Sequence, residues 1–257
     1  MAKIGVFDSG MGGLTVLADI RRALLKADLI YIGDSANAPY GTKTQAEIAA
    51  LSEQIVESLI SAGAEAIVIA CNTATSAAGE FLRSKYSHLP IVGLEPALKP
   101  AVERTKQGKI AVLATDYTLS NKKYLRLKER VANQIEIISI AAPKLVELVE
   151  YGVIDGPEIQ ANLQKLFGSA TDINSLVLGC THFLHLKPAL RQFFGPSVEF
   201  FDGNDGVVRQ LVRLLPNSNS GGGKTTIMST GNKDTQTKYQ ETFRRYLEHS
   251  SLGLMER

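Results

Sequence analysis

Four short apolar runs near the start of this chain return, in the same order, near its middle. KIGVFDSG from Lys3 is answered by KIAVLATD from Lys109, and LIYIGD from Leu29 by IEIISI from Ile135. AIVIAC, ending at Cys71, is answered by SLVLGC, ending at Cys180, and IVGLEP from Ile91 by VEFFDG from Val198. The offsets are 106, 106, 109 and 107 residues. Apolar runs look alike one at a time, but four that keep both order and spacing mean two similar halves, related by a pseudo-twofold axis.

The runs read as strands of the buried kind. Nine segments, 3–7, 29–33, 66–70, 91–93, 109–115, 135–140, 175–179, 198–202 and 225–229, are short and apolar. Helix-period segments separate them, as in Ile48, Leu51, Ile55 and Leu59, which share one helical face. Thr44 with Glu47 forms a capping box that starts this helix, and Pro157 sits where the first turn of another begins. Apolar strands alternating with helices build parallel sheets covered on both faces. The expected fold class is therefore α/β: two similar α/β domains with mainly parallel sheets and an active site in the cleft between them. A chain of 257 residues has the length for both. The first domain is expected over 1–97, with 207–257 returned to it, and the second over 98–206. The last segment has no partner in the repeat and is expected to cover a sheet edge of the first half.

The remaining bulk properties exclude several function classes. A net charge of +2, with no dominant Lys/Arg cluster, argues against nucleic acid as a partner. The basic stretch NKKYLRLKER reads as a solvated helix face. No segment approaches the roughly 20 apolar residues that span a membrane. The N-terminus enters a strand directly, without the regions of a signal peptide, so a cytoplasmic location is expected. Two cysteines do not make a disulfide scaffold, and a reducing compartment keeps both as thiols. There is no CxxC or HExxH, and the histidines meet the cysteines only at His182 and His185, so no metal is expected.

In open parallel sheets, ligands bind beyond the C-terminal ends of the strands. Asp8, Ser9, Cys71 and Cys180 fall there. A lone cysteine after a strand is commonly a small buried hydrophobe. Two at equivalent positions of repeated halves, with no others in the chain, point instead to paired chemistry. Each is expected to precede a helix whose N-terminal N–H groups favour a thiolate. Inverting a carbon centre needs a base on one face and an acid on the other, and a thiolate with a thiol supplies both in either direction. Asn72, Thr73 and Thr181 offer neutral donors beside the cysteines, while Asp8 and His182 are titratable neighbours that could tune or reset them.

Other motifs leave alternatives open. FDSGMGGLT is a near miss to GxGxxG, with Gly10 and Gly12 in place but Thr15 where the third glycine belongs. Asp34 stands near the ribose-binding position, so a dinucleotide or small-ligand module with structural cysteines is the alternative from another class. The simpler reading is a tight turn whose N–H groups receive an anion such as a carboxylate. SNSGGGKTT lacks the first glycine of a P-loop, having Ser218 there, and precedes a strand; it reads as a flexible surface loop. ANAPYGTKT enters the capped helix, and its Tyr40 and Gly41 are candidate substrate contacts. Glu147, on the apolar helix PKLVELVEYG, is either solvated or part of the site.

The motifs GVFDSGMGGLTV, YIGDSANAPYG, VIACNTAT, GLEP and LVLGCTHF together resemble the cofactor-independent glutamate racemases, over 4–201 and in family order. The related aspartate racemases carry a Glu after the second Cys-Thr, where this chain has His182. The resemblance implies an isomerase that interconverts L- and D-glutamate for peptidoglycan with no pyridoxal phosphate and no metal. It implies that Cys71 takes the α-proton from the D-isomer and Cys180 from the L-isomer. Asp8, Ser9, Tyr40, Gly41, Asn72, Thr73, Thr181 and His182 would line the substrate site, and the assembly would be a homodimer. The chain departs from the family pattern at Asn37, at Ala142 and Lys144, in THFLHL and in FDGNDG. It also begins without the N-terminal extension of members activated by a nucleotide precursor, so that regulation is not expected.

Overall fold

A computed structural model describes residues 3–131, 135–168, 172–216 and 219–250. All nine expected strands form, with ends shifted by a residue or so. They are β1 (Lys3–Asp8), β2 (Asp28–Gly33), β3 (Ala66–Ile69), β4 (Ile91–Gly93), β5 (Lys109–Ala114), β6 (Glu136–Ala141), β7 (Ser175–Leu178), β8 (Glu199–Phe201) and β9 (Thr225–Ser229). Each pairs only in parallel. One sheet has the order β4-β3-β1-β2-β9 and the other β6-β5-β7-β8. Read from its far end, the second order is the first with β5 to β8 substituted for β1 to β4. The sequence repeat is thus a repeat of strand pairing.

The chain divides into two compact units, 1–94 with 204–257, and 95–203. In the first, α1 (Leu14–Ala23) crosses from β1 to β2, α2 (Gln45–Ser61) from β2 to β3, and α3 (Asn72–Lys85) from β3 to β4. Parallel strands need such crossovers, and their right-handedness sends α1 to one face of the sheet and α2 with α3 to the other. The capping box forms as read: Thr44 Oγ1 accepts from Glu47 N–H, and Glu47 Oε2 accepts from Thr44 N–H at 2.8 Å. Burial of Ile48, Ile55 and Leu59 on α2 and of all of β3 supplies the apolar contact that holds helix to sheet.

In the second unit, α5 (Asp116–Ser120) and α6 (Lys122–Val131) follow β5, and α7 (Pro143–Glu150) and α8 (Pro157–Phe167) follow β6. A six-residue 3-10 turn (Thr181–Leu186) and α9 (Lys187–Phe194) follow β7. Pro157 opens α8 as its sequence position suggested. Each unit is completed by the helix that follows the other's fourth strand. After β4 the chain enters the second unit with α4 (Leu98–Arg104), and after β8 it returns to the first with α10 (Asn204–Leu214).

β9 then pairs with β2, and α11 (Lys233–Ser250) packs against α1 and β9. Arg21, 8% exposed, ties this edge: it donates to Leu24 O, Leu25 O, Lys224 O and Thr225 Oγ1. The glycine-rich stretch before β9 is held rather than loose, because Gly223 N–H donates to Lys26 O at 3.1 Å and Lys224 N–H to Asp28 Oδ1 at 2.9 Å. These two donors are therefore spent within the chain; Ser218 lies outside the described residues.

Gly33 marks the tightest point of this packing. A Cβ there would lie 2.3 Å from the Tyr239 ring of α11 and 2.7 Å from Gly10 O. Gly33→Ala is expected to cost about 1–3 kcal/mol through overpacking, read as a lowered urea midpoint at unchanged slope. An unchanged midpoint would mean that α11 does not press on β2.

Candidate active site

Two ladders place the site residues. Phe7 of β1 is opposite Ile69 of β3, and the pairing runs one step further, with Ala70 N–H donating to Phe7 O at 2.8 Å. Asp8, the last residue of β1, is therefore level with Ala70, and Cys71 follows where the chain leaves β3. In the second unit Leu113 of β5 is opposite Leu178 of β7, and Gly179 N–H donates to Leu113 O, again at 2.8 Å. Cys180 leaves that sheet as Cys71 leaves the first, while Ala114 stands where Asp8 stands.

The two thiols are both buried, at 5% and 6% exposure, but they meet different partners. Cys71 is the N-cap of α3: its Sγ accepts from Ala74 N–H at 3.4 Å, and its thiol lies 3.6 Å from Ser9 Oγ as donor. An anionic sulfur there meets the positive end of a 14-residue helix. Cys180 does not begin an α-helix, contrary to the expectation. Pro188 sits at the start of α9, where its ring and missing N–H forbid a helix continuous with the turn before it. The result is the 3-10 turn Thr181–Leu186, and Cys180 makes no side-chain cap bond to it.

Cys180 is served instead by a side-chain relay. Its Sγ lies 3.5 Å from His182 Nδ1, and His182 Nε2 lies 2.5 Å from Glu150 Oε1. His182 is 2% exposed and Glu150 is 18% exposed. Burial alone would pull the imidazole down. The charges and hydrogen bonds of Cys180 and Glu150 outweigh it and hold His182 well above its ordinary value. A proton on this ring can be passed to sulfur on one side while the carboxylate steadies it on the other.

Glu150 is not among the residues singled out from sequence, where Glu147 on the same helix is read as either solvated or part of the site. The structure puts Glu147 at the surface, its side chain 48% exposed and paired with Lys144 at 3.3 Å. The signal was present. Leu145, Val146, Leu148 and Val149 form the buried stripe of α7. Glu147 lies opposite the middle of that stripe, whereas Glu150 follows Val146 by four positions and so borders it.

The remaining candidates cluster with their own cysteine. Asp8 is fully buried and its Oδ1 accepts from Gly10 N–H at 2.9 Å, so this N–H of the glycine-rich turn is taken by the chain's own carboxylate. Tyr31 Oη donates to Gly10 O at 2.6 Å and fixes the turn from below. Gly13 admits no side chain, since a Cβ would lie 2.6 Å from Asp8 Cβ. Ser9, Asn72, Thr73 and, in the second unit, Thr181 are buried. Asn72 Nδ2 reaches Leu94 O at 3.4 Å, while its buried Oδ1 has no hydrogen-bond partner among the described residues. Buried acceptors are rarely left so, and a substrate donor would satisfy this one. Tyr40 is buried in a 3-10 turn (Tyr40–Thr42) and donates to Asp34 Oδ2 at 2.6 Å; Gly41 is half-buried. Asp34, the residue considered for a ribose, has both oxygens occupied by Asn37, Tyr40 and Thr230. That removes the feature on which a dinucleotide site would depend.

The sequence pattern of the Asp/Glu/Hydantoin racemase family matches residues 4–211, and the chain belongs to that family. Its curated relatives carry a narrower description. It is 49% identical over 214 residues to the glutamate racemase of Clostridium novyi, covering 82% of this chain and 83% of that protein. It is 41% identical over 216 residues to the glutamate racemase of Pseudomonas aeruginosa, covering 83% and 82%. Among solved structures, Escherichia coli glutamate racemase in complex with L-glutamate and the activator UDP-MurNAc-Ala superposes with a TM-score of 0.86. That pair is 29% identical, and 95% of each chain is covered.

A histidine whose folded proton affinity is raised contributes stability that is complete below its unfolded value, about 6.5, and lost as pH rises through the folded one. Glu150→Gln is expected to lower the pH at which His182 deprotonates, read by NMR titration of its ring. It is also expected to cost stability near neutral pH but not above the raised value. An unmoved titration midpoint would mean that the Glu150 contact does not hold the proton on His182.

Proposed function

We propose that this chain is a glutamate racemase, an isomerase that interconverts L- and D-glutamate with two cysteines as the paired acid and base. The observation that carries the reading is the pair of buried thiols at equivalent ends of two repeated parallel sheets, each with its own proton partner. In this reading the first unit, 1–97 with 207–257, supplies Cys71 and the second, 98–206, supplies Cys180, each at the strand ends of its own sheet. Cys71 as thiolate takes the α-proton of D-glutamate while Cys180 as thiol returns a proton to the opposite face. From L-glutamate the roles reverse. Asp8 and Ser9 assist at Cys71, and His182 with Glu150 resets Cys180. Asn72, Thr73, Thr181, Tyr40 and Gly41 supply neutral contacts that orient the substrate and stabilise the carbanion-like charge as it develops.

Among the described residues no group of three or more His, Cys, Asp or Glu side chains is placed to hold a metal, and no helix is long and apolar enough to cross a membrane. We further infer a cytoplasmic homodimer that supplies D-glutamate to peptidoglycan, a role supported by the resemblance to the family.

Enantiomers have equal free energy in water, so the equilibrium constant is one. It follows that kcat/KM must be equal in both directions for every variant. One-sided damage therefore shows in isotope exchange and not in that ratio. Purified protein without added cofactor is expected to abolish the circular dichroism of L-glutamate and to leave that of aspartate nearly unchanged. A stable signal from pH 7 to about 9, where thiolates form, would end the reading. Cys71→Ser and Cys180→Ser should each lose roughly 10²–10⁴-fold in racemisation. In deuterated water, Cys71→Ser should lose exchange mainly from D-glutamate and Cys180→Ser mainly from L-glutamate. Equal, wild-type exchange of both would exclude paired thiols.

A further inference from the structure

The loop that carries Tyr40 and Gly41 is tied down from a distant part of the chain. Its hub is Asp34, the residue after β2, which is 1% exposed. Its Oδ2 accepts from Tyr40 Oη at 2.6 Å and its Oδ1 from Thr230 Oγ1 at 2.7 Å. Asn37 Nδ2 reaches Oδ1 at 3.0 Å and Oδ2 at 3.1 Å. All of these donors are neutral. A buried carboxylate is tolerated only where its lone pairs are satisfied, so each donor is held in place as firmly as the carboxylate is.

Thr230 lies 196 residues beyond Asp34, just after β9. Its N–H donates to Gly33 O at 3.0 Å, which extends the β2–β9 ladder by one step. Its Oγ1 also accepts from Ala36 N–H at 3.1 Å. Ser229 Oγ meets Ser35 Oγ at 2.5 Å, and Gly231 N–H donates to Ser35 Oγ at 3.0 Å. The returned strand thus grips the loop 34–37 through side chains as well as through the sheet. At the other end of the same hub, burial first, and then the bond to Asp34, push the Tyr40 phenol well above its ordinary value. Tyr40 keeps its single proton at working pH and spends it on Asp34. That bond fixes the ring, and with it the turn in which Gly41 follows.

We propose that Asp34 and Thr230 are positioning residues for substrate binding: through them the C-terminal strand β9 sets where Tyr40 and Gly41 stand, although neither residue touches the substrate. The inference rests on the reading of this chain as a glutamate racemase with Tyr40 and Gly41 as substrate contacts. A packing role alone would need only an apolar anchor. Here the loop is held by a hydroxyl that acts as donor and acceptor at once, and the other end of the network is a tyrosine in the site.

The test is steady-state racemisation by Asp34→Asn, Thr230→Val and Thr230→Ser. Thr230→Val keeps the side-chain shape at an exposed position, so it folds irrespective of the outcome. It is expected to raise KM for both enantiomers roughly tenfold with kcat within about twofold, because it removes a hydrogen bond to a charged group. Thr230→Ser, which keeps the hydroxyl, should restore KM. Asp34→Asn should raise KM by roughly 10- to 100-fold, and adding Tyr40→Phe should raise it no further, since both act through one bond. An unchanged KM in Thr230→Val, or a loss confined to kcat or Tm, with wild-type racemisation intact, overturns this inference alone. A wild type that fails to racemise glutamate overturns the proposed function and this inference with it.

Discussion

The register of the parallel ladder is the constraint on which this structure depends. Phe7 beside Ile69 and Leu113 beside Leu178 are pairings of fully buried residues. Neither can slip along its neighbour without carrying a polar flanking residue, such as Glu65 before β3 or Asn174 before β7, into the buried ladder. One further bond, from Ala70 N–H and from Gly179 N–H, ends each ladder, so the cysteine that follows leaves its sheet at one defined point with its backbone direction fixed. Asp8, Cys71 and Cys180 are where they are because apolar pairs behind them leave no alternative register.

The repeat of the fold does not extend to the chemistry around the thiols. Cys71 has a helix N-terminus and the Ser9 hydroxyl; Cys180 has an imidazole backed by a carboxylate. The position that holds Asp8 in one half holds Ala114 in the other. For a racemase this asymmetry is permitted by thermodynamics. The substrate and product have the same free energy, so the overall barrier is shared, and the two bases need only be adequate from their own side. A fixed dipole and a titratable relay can each support a thiol in the same role, provided that each thiol can both lose and regain a proton.

Much of the fold was legible in the sequence because buried parallel strands are continuous apolar runs, and continuous runs are hard to mistake when they recur in order. The capping box at Thr44 and the proline at 157 were legible because their local geometry needs nothing beyond a few neighbouring residues. The helix after Cys180 was misread. Its apolar pattern THFLHL fits a helical period, and the decisive residue, Pro188, acts from beyond the turn by forbidding continuity. Glu150 was missed in favour of Glu147 because both are acidic residues on the same short helix. Only the position of the buried stripe distinguishes the one that points out from the one that borders the core.

By itself the sequence determined the α/β class, the repeated series of strands along the chain and the pair of cysteines at strand ends, since each follows from apolar periodicity and spacing along the chain. Tertiary structure alone decided which groups serve those cysteines. Glu150 reaches His182 because α7 packs on the turn after β7, and Thr230 reaches Asp34 across 196 residues because β9 pairs with β2. Hydrogen bonds between side chains of different elements leave no period in a sequence. They exist only where packing brings the partners within about 3 Å, and packing is a property of the whole sheet rather than of any segment of it.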